Sequence, residues 1–249
     1  MDFNIKKPSH IFALLIIIIS LFMLIVLPII SYFNVTSTTQ SAEVENLSKN
    51  DKLMFEIFLL LIQFAIVIVL MVIFPVLWYL IVNKCSIKEI ISRLKLRLEN
   101  LDKAFLWAVL SVFLMFAASF IVGILLKIMG VAGDEQGNIQ DLEESFSPVF
   151  LFILLAIQPT FEEIFFRGFL LGKIRSFSGD YIAIVLTGVL FGLAHMSPGK
   201  ISPAIVIMPL GFILAFIVIK TKSLYSAILA HTAFNIISFA LYLFAKSLS

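Results

Sequence analysis

Long, nearly uninterrupted runs of apolar residues follow one another along this chain of 249 residues. A transmembrane helix needs about 20 mostly apolar residues to cross the hydrocarbon core of a bilayer. No run alternates apolar and polar residues in the way that the strands of a transmembrane barrel do. The pattern therefore predicts an all-α protein, a polytopic bundle of transmembrane helices. Seven spans are predicted, at residues 11–32, 55–82, 105–128, 148–171, 181–195, 201–219 and 224–245.

The composition agrees with this class of protein. Hydrophobic residues make up 61% of the chain and charged residues only 14%, whereas soluble domains are about 45–50% apolar. Cys85 is the only cysteine, so no internal disulfide can form. The formal net charge is only +2, and loop positions account for the basic residues. We therefore expect the lipid bilayer, and not nucleic acid, to be a partner of the protein.

Basic residues concentrate in alternate connections between the predicted spans. Segment 84–103, between spans two and three, contains six Lys or Arg residues. Segment 130–147, between spans three and four, contains five acidic residues and no basic one. Short loops rich in Lys and Arg stay on the cytoplasmic side of a membrane. The sequence thus predicts a cytoplasmic amino terminus and an acidic outer loop at 130–147.

Segment 84–103 also shows a helical repeat of apolar residues. Basic residues occupy the remaining faces, an arrangement typical of a helix that lies in an anionic lipid interface. We therefore predict a cytoplasmic amphipathic linker over the whole segment. Its apolar positions are Ile87, Ile91, Leu94, Leu98 and Leu101.

Three charged residues fall inside predicted span four, in the stretch QPTFEEIFFRGFL at 158–170. A charge near the centre of a membrane helix costs about 2.5–3.5 kcal/mol on insertion scales. Glu163 and Arg167 are four residues apart, on one helical face and in the favourable order for an ion pair. Glu162 points about 100° away from Glu163. We predict that Glu163 pairs with Arg167, and that Glu162, without a local partner, is free to act as a general base.

Histidines occur in two further spans of the same half of the chain. His195 ends span five in FGLAH, where Phe191 lies one helical turn before it. In HTAFN of span seven, His231 and Asn235 share one face, and two such donors are what a developing oxyanion needs. If Lys173 and Asp180 mark the inner face, a rise of 1.5 Å per residue puts Glu162 about 16 Å and His195 about 22 Å from it. This mismatch leaves open how the two side chains would meet.

The three motifs EEIFFR, FGLAH and HTAFN, in this order on three membrane helices, resemble the CPBP family of intramembrane proteases. This family, also called the Abi or CAAX amino-terminal protease family, includes the type II CAAX prenyl endopeptidases. The resemblance covers about residues 148–235. It implies a catalytic set whose first two members activate a water and whose last two stabilise the oxyanion: Glu162, His195, His231 and Asn235. Glu163, Arg167 and Phe191 are predicted to support the site structurally.

A metal ion is the alternative to a water activated by protein groups alone. Glu162, His195 and His231 could form a His₂Glu zinc set with an open coordination position. The H-E-x-x-H motif of many zinc proteases is absent from the chain. We therefore favour a metal-free site and keep zinc as the alternative cofactor.

These observations divide the chain into two predicted parts. Residues 1–146 hold spans one to three, the linker and the acidic loop, and residues 147–249 form the CPBP-like catalytic membrane core. The resemblance implies an endopeptidase that cleaves a membrane-associated peptide or protein inside the bilayer. A bacteriocin-immunity or scaffold protein without catalysis, or a proton-coupled transporter, are the alternatives. Family members often have an eighth span, and the Ile-, Phe-, Lys- and Asn-rich usage is typical of a low-GC bacterium, which indicates a plasma-membrane location.

Overall fold

The computed structural model describes residues 3–34, 48–99, 101–131 and 146–248. Most of the predicted acidic loop lies outside them. Within these ranges the chain forms helices, and no strand beyond one isolated bridge, so the all-α prediction is confirmed. Six of the helices are long and apolar enough to cross a membrane. The helices are α1 (Pro8–Phe33), α2 (Asn50–Ile81), α3 (Ile87–Arg93), α4 (Leu101–Ile128), α5 (148–178), α6 (180–193), α7 (Ser202–Thr221) and α8 (Leu224–Leu248).

Helices α5 and α6 are two limbs of one apolar stretch, Pro148–Leu193, whose 46 residues far exceed one membrane crossing. The stretch breaks at Gly179, where φ is 80° and ψ is 178°. This backbone conformation is open to glycine and strained for residues with a Cβ atom. With the break, the described residues contain seven apolar spans, as predicted from the sequence. The eighth span of many family members is not among them.

The amphipathic linker predicted over 84–103 is helical only in part among its described residues. Ile87–Arg93 forms a short helix, α3, which begins at a capping box formed by Ser86 and Glu89, and α4 begins at Leu101. The backbone N–H of Ser86, which donates a hydrogen bond to the Glu89 carboxylate, lowers the pKa of that carboxyl. A capping box fixes the start of a helix, but nothing comparable extends α3 beyond two turns.

The chain beyond α3 packs into one end of the bundle. Leu94 is buried, and its Cδ2 atom lies 3.1 Å from the place that a Cβ atom of Gly168 would take. The chain turns at Lys95, where φ is +58°, in the left-handed region. The Lys95 carbonyl accepts a hydrogen bond of 2.9 Å from the backbone N–H of Leu224 in α8. Burial lowers the pKa of the Lys95 ammonium to about 8. Leu94, which belongs to the predicted apolar repeat, is thus held by tertiary contacts.

A π-helical turn, Ile164–Leu170, lies at the centre of the bundle within α5. All seven of its residues are buried, and Phe166 and Phe169 are at most 2% exposed. Such turns are rare in proteins, and many of those that occur lie at functional sites. The ring of Phe169 meets the rings of Trp78 and Tyr79 edge to face, which fixes α2 against α5.

Helices α6 and α7 approach each other closely through glycines. A Cβ atom on Gly211 of α7 would lie 2.9 Å from the Cα atom of Gly188 in α6. One on Gly192 would lie 2.7 Å from the carbonyl oxygen of Ala204. Small residues allow such packing between membrane helices. In lipid the hydrophobic effect does not drive helices together, so close van der Waals packing has to hold them. The contact fixes the end of α6, after which His195 follows.

Gly211→Ala is therefore expected to destabilise the protein. The added methyl group would meet backbone atoms of Gly188 at 2.9–3.3 Å, so the helices must separate, at a cost of about 1–3 kcal/mol. Gly172→Ala is the control, because nothing lies within 4 Å of its added Cβ atom and alanine favours a helix. Thermal unfolding in detergent should show a lower melting temperature for Gly211→Ala only. Equal melting temperatures would contradict the close packing.

Candidate active site

Glu162 lies near the end of the α-helical part of α5, just before the π turn, and its side chain is buried. Its Oε2 atom is 4.0 Å from Nε2 of His195 and 3.9 Å from Nε2 of His231. His195 follows the end of α6, and His231 lies in α8. Three spans thus bring together three of the side chains that were predicted to form the site.

Gly179 explains how Glu162 and His195 reach the same depth. Helix α5 continues past Lys173, which is half-buried and whose ammonium lies 4.7 Å from the ring centroid of Tyr79. Glu162 is 17 residues before Gly179, and His195 is 16 residues after it. Two antiparallel limbs of nearly equal length, about 24 Å at 1.5 Å per residue, therefore end at one level. The expected mismatch in depth is wrong because Lys173 does not mark the end of the helix.

Both histidines use Nδ1 for a hydrogen bond to a protein oxygen. The Nδ1 atom of His195 is 2.7 Å from the carbonyl oxygen of Phe191. The Nδ1 atom of His231 is 2.9 Å from Oε1 of Glu163. A carbonyl and a carboxylate only accept hydrogen bonds, so each Nδ1 carries a proton. The Nε2 atoms that face Glu162 therefore hold a lone pair whenever the imidazoles are neutral.

The predicted ion pair between Glu163 and Arg167 is present in the structure. Nη1 of Arg167 lies 2.7 Å from Oε1 of Glu163, and both side chains are completely buried. Nη2 of Arg167 donates a second hydrogen bond, of 3.2 Å, to the carbonyl of Gly211 in α7. The same Oε1 atom of Glu163 accepts the hydrogen bond of His231. The pair thus connects α5, α7 and α8 next to Glu162.

The ring of Phe191 packs against the polar side chains of the site. The guanidinium carbon of Arg167 is 4.0 Å from the centroid of this ring, a cation–π distance. The imidazole centroids of His195 and His231 are 4.7 Å and 5.6 Å from it. Phe191 therefore gives both imidazoles an apolar wall, in addition to the backbone hydrogen bond that it offers to His195.

Glu162 does have a local partner, so the prediction that it has none is wrong. Nε2 of Gln158 donates a hydrogen bond of 2.7 Å to Oε1 of Glu162, and Gln63 of α2 donates one of 3.2 Å to Gln158. Both glutamines left a signal in the sequence. Gln158 stands four residues before Glu162, the spacing at which helical side chains meet, and Gln63 is a polar residue inside an apolar span.

Asn235 lies one turn after His231 in α8, and it is half-buried. Among the described residues, no hydrogen bond connects its carboxamide to Glu162, Glu163 or His231. Its part in stabilising an oxyanion stays a prediction.

The zinc alternative requires Glu162, His195 and His231. One carboxylate oxygen and two imidazole nitrogens are donor types that suit zinc. Within the described ranges, however, no group of three His, Cys, Asp or Glu side chains is arranged to hold a metal ion. Zinc stays the alternative, for an experiment to decide.

By its fold and its site, the protein is a polytopic helical membrane protein with a buried glutamate and two histidines at one depth. Residues 144–237 match the family model described as "Type II CAAX prenyl endopeptidase Rce1-like". This range contains all three motifs, from Glu162 to Asn235. The match confirms the predicted resemblance to the CPBP family, and at family level it supports a CAAX-type membrane protease.

Two curated proteins of Bacillus subtilis (strain 168) are similar to the chain. "Putative membrane peptidase YdiL" is 25% identical over 139 residues, which are 55% of this chain and 56% of that protein. "Uncharacterized protein YyaK" is 36% identical over 89 residues, which are 33% of this chain and 30% of that protein. The chain thus matches about half or less of the length of these relatives. No solved structure matches it significantly.

Removal of Arg167 should destabilise the protein strongly. Arg167→Met leaves the Glu163 carboxylate buried without its counter-charge, which costs about 3–5 kcal/mol. Arg175→Met is the matched control, because it breaks an exposed ion pair with Asp180, and such pairs contribute less than about 1 kcal/mol. Unfolding in mixed micelles of increasing SDS content should separate the two variants. Similar stabilities would contradict the structural part given to the buried pair.

Proposed function

We propose that this protein is an intramembrane endopeptidase that hydrolyses a peptide bond in a membrane-associated peptide or protein. One observation carries the proposal: Oε2 of the buried Glu162 faces the Nε2 atoms of His195 and His231 within 4.0 Å. The family match and the similarity to YdiL support a peptidase. The plasma membrane of a bacterium is the proposed location, since both similar proteins come from Bacillus subtilis.

Glu162 is the general base in the proposed reaction. A water that donates hydrogen bonds of about 2.8 Å to Oε2 of Glu162 and Nε2 of His195 fits their separation of 4.0 Å. A lone pair of its oxygen then attacks the carbonyl carbon of the substrate while the carboxylate takes a proton from the water. The protonated carboxyl returns that proton to the leaving nitrogen as the C–N bond breaks. Glu162 ends the cycle ionised, and the products are a carboxylic acid and an amine.

His231 is the proposed donor to the oxyanion of the tetrahedral intermediate. Its Nδ1 proton is engaged with Glu163, so a donor at Nε2 requires the doubly protonated imidazolium. The carboxylates of Glu163 and Glu162 lie 2.9 Å and 3.9 Å from its two nitrogens and balance that charge. Asn235, to which the family resemblance gives the same role, is the second donor. One preorganised donor lowers such a barrier by about 2.7–4 kcal/mol.

Glu162→Gln should lower the rate of cleavage at least about 100-fold, because a carboxamide cannot take the proton of the attacking water. The assay uses internally quenched peptides, with and without a farnesylated CAAX terminus, in liposomes that contain the purified protein. Glu56→Gln is the control, since Glu56 is also a buried glutamate but pairs with Ser147. Cleavage by Glu162→Gln at the wild-type rate would show that the proposed base is wrong.

Chelation should leave the wild-type rate unchanged, because no step of the proposed reaction passes through a metal. The measurement compares 1,10-phenanthroline with its non-chelating isomer 1,7-phenanthroline in the same liposome assay. Activity that is lost only with the chelator and restored by Zn²⁺ would replace the metal-free reaction by a zinc mechanism.

A further inference from the structure

We propose that two glutamines, Gln63 of α2 and Gln158 of α5, are positioning residues for Glu162. Together they form a chain of hydrogen bonds from α2 to the carboxylate, which we call the glutamine relay. The proposal rests on the proposed function in one respect, that Glu162 is the base. It gives the first part of the chain a role in the site, because Gln63 lies outside the range 144–237 that matches the family model.

Each hydrogen bond of the relay can run in only one direction. A carboxylate only accepts hydrogen bonds, so the group of Gln158 that lies 2.7 Å from Oε1 of Glu162 has to be its NH₂ group. The carbonyl oxygen of Gln158 then faces α2, where it accepts a hydrogen bond of 3.2 Å from Nε2 of Gln63. Gln63 therefore orients the carboxamide of Gln158, and Gln158 orients the carboxylate of Glu162.

The relay decides which oxygen of Glu162 meets the histidines. Gln158 occupies Oε1, whereas Oε2 is the atom at 4.0 Å and 3.9 Å from the Nε2 atoms of His195 and His231. The last torsion of a glutamate side chain is broad and roughly twofold, so the carboxylate needs a partner to hold one orientation. A reacting group displaced by about 1 Å can lose about 100-fold in rate. The relay thus supplies the orientation that a general base requires.

The packing of α2 against α5 does not depend on the relay. The hydroxyl of Ser147, at the start of α5, donates a hydrogen bond of 2.7 Å to the Glu56 carboxylate of α2. The rings of Phe64 and Phe161 also meet edge to face, with their centroids 6.1 Å apart. The relay differs from these contacts because it ends on the proposed base.

Infrared difference spectroscopy tests the relay without a substrate. The carboxylate bands of Glu162 are those that disappear in Glu162→Gln, measured on the whole chain in liposomes. Gln158→Leu should shift these bands because Oε1 loses its donor, and Gln63→Leu should shift them less. Ser147→Ala, which removes the hydrogen bond to Glu56 of α2, should leave them in place. Unshifted bands in Gln158→Leu would overturn the proposal.

Kinetics with the farnesylated CAAX peptide test the positioning role. Neither glutamine touches the substrate in the proposed reaction, so KM should change by less than about twofold, while kcat of Gln158→Leu falls about 10–100-fold. The double variant Gln63→Leu/Gln158→Leu should match Gln158→Leu, because the relay acts as one unit. A lower melting temperature with an unchanged kcat per folded molecule would overturn the proposal. If Gln158→Leu does not fold, Gln63→Leu replaces it, because this substitution leaves α5 intact. A lower kcat in Gln63→Leu then supports the relay, and an unchanged kcat overturns it.

Failure of the relay and failure of the proposed base give different results. If Glu162→Gln is inactive and Gln158→Leu keeps the wild-type kcat, the base stands and the relay is wrong. If Glu162→Gln cleaves at the wild-type rate, Glu162 is not the general base. The relay then has no catalytic role, even if the infrared bands shift as expected.

Discussion

Oε1 of Glu163 accepts two hydrogen bonds at once, from Arg167 of its own helix and from His231 of α8. Arg167 continues to the carbonyl of Gly211 in α7. Hydrocarbon offers these groups no water as a partner, so α5, α7 and α8 have to meet before all three hydrogen bonds can form. His231 is held with its other nitrogen toward Glu162. The pair that neutralises two costly charges therefore also orients the site.

Gly211 links this arrangement to the remaining histidine. Its carbonyl accepts the hydrogen bond of Arg167, and its missing side chain lets α6 approach through Gly188. Helix α6 then places Phe191 against the guanidinium of Arg167 and His195 near Glu162. Close helix packing and the buried charges thus depend on the same residues.

Local features of the site could be predicted from the sequence, and long-range ones could not. The spacing of Glu163 and Arg167 predicted their pair because contact between residues four apart is a property of the helix itself. The grouping of Glu162 with the two histidines followed from the cost of polar groups in a membrane. Their common depth did not, since it depends on the break lying at Gly179 itself, a position that the apolar pattern does not fix to the residue. Gln63 was missed because its partner is 95 residues away in the chain.

Whether Glu162 activates a water or itself attacks the peptide bond is the point on which the proposed reaction depends. A single turnover in H₂¹⁸O, followed by mass spectrometry of the product and of the protein fragment that contains Glu162, tests the proposed role. A general base predicts one ¹⁸O atom in the new carboxyl group of the product and none in Glu162. Incorporation of ¹⁸O into the Glu162 carboxyl would reveal a covalent acyl intermediate and would contradict the proposed role.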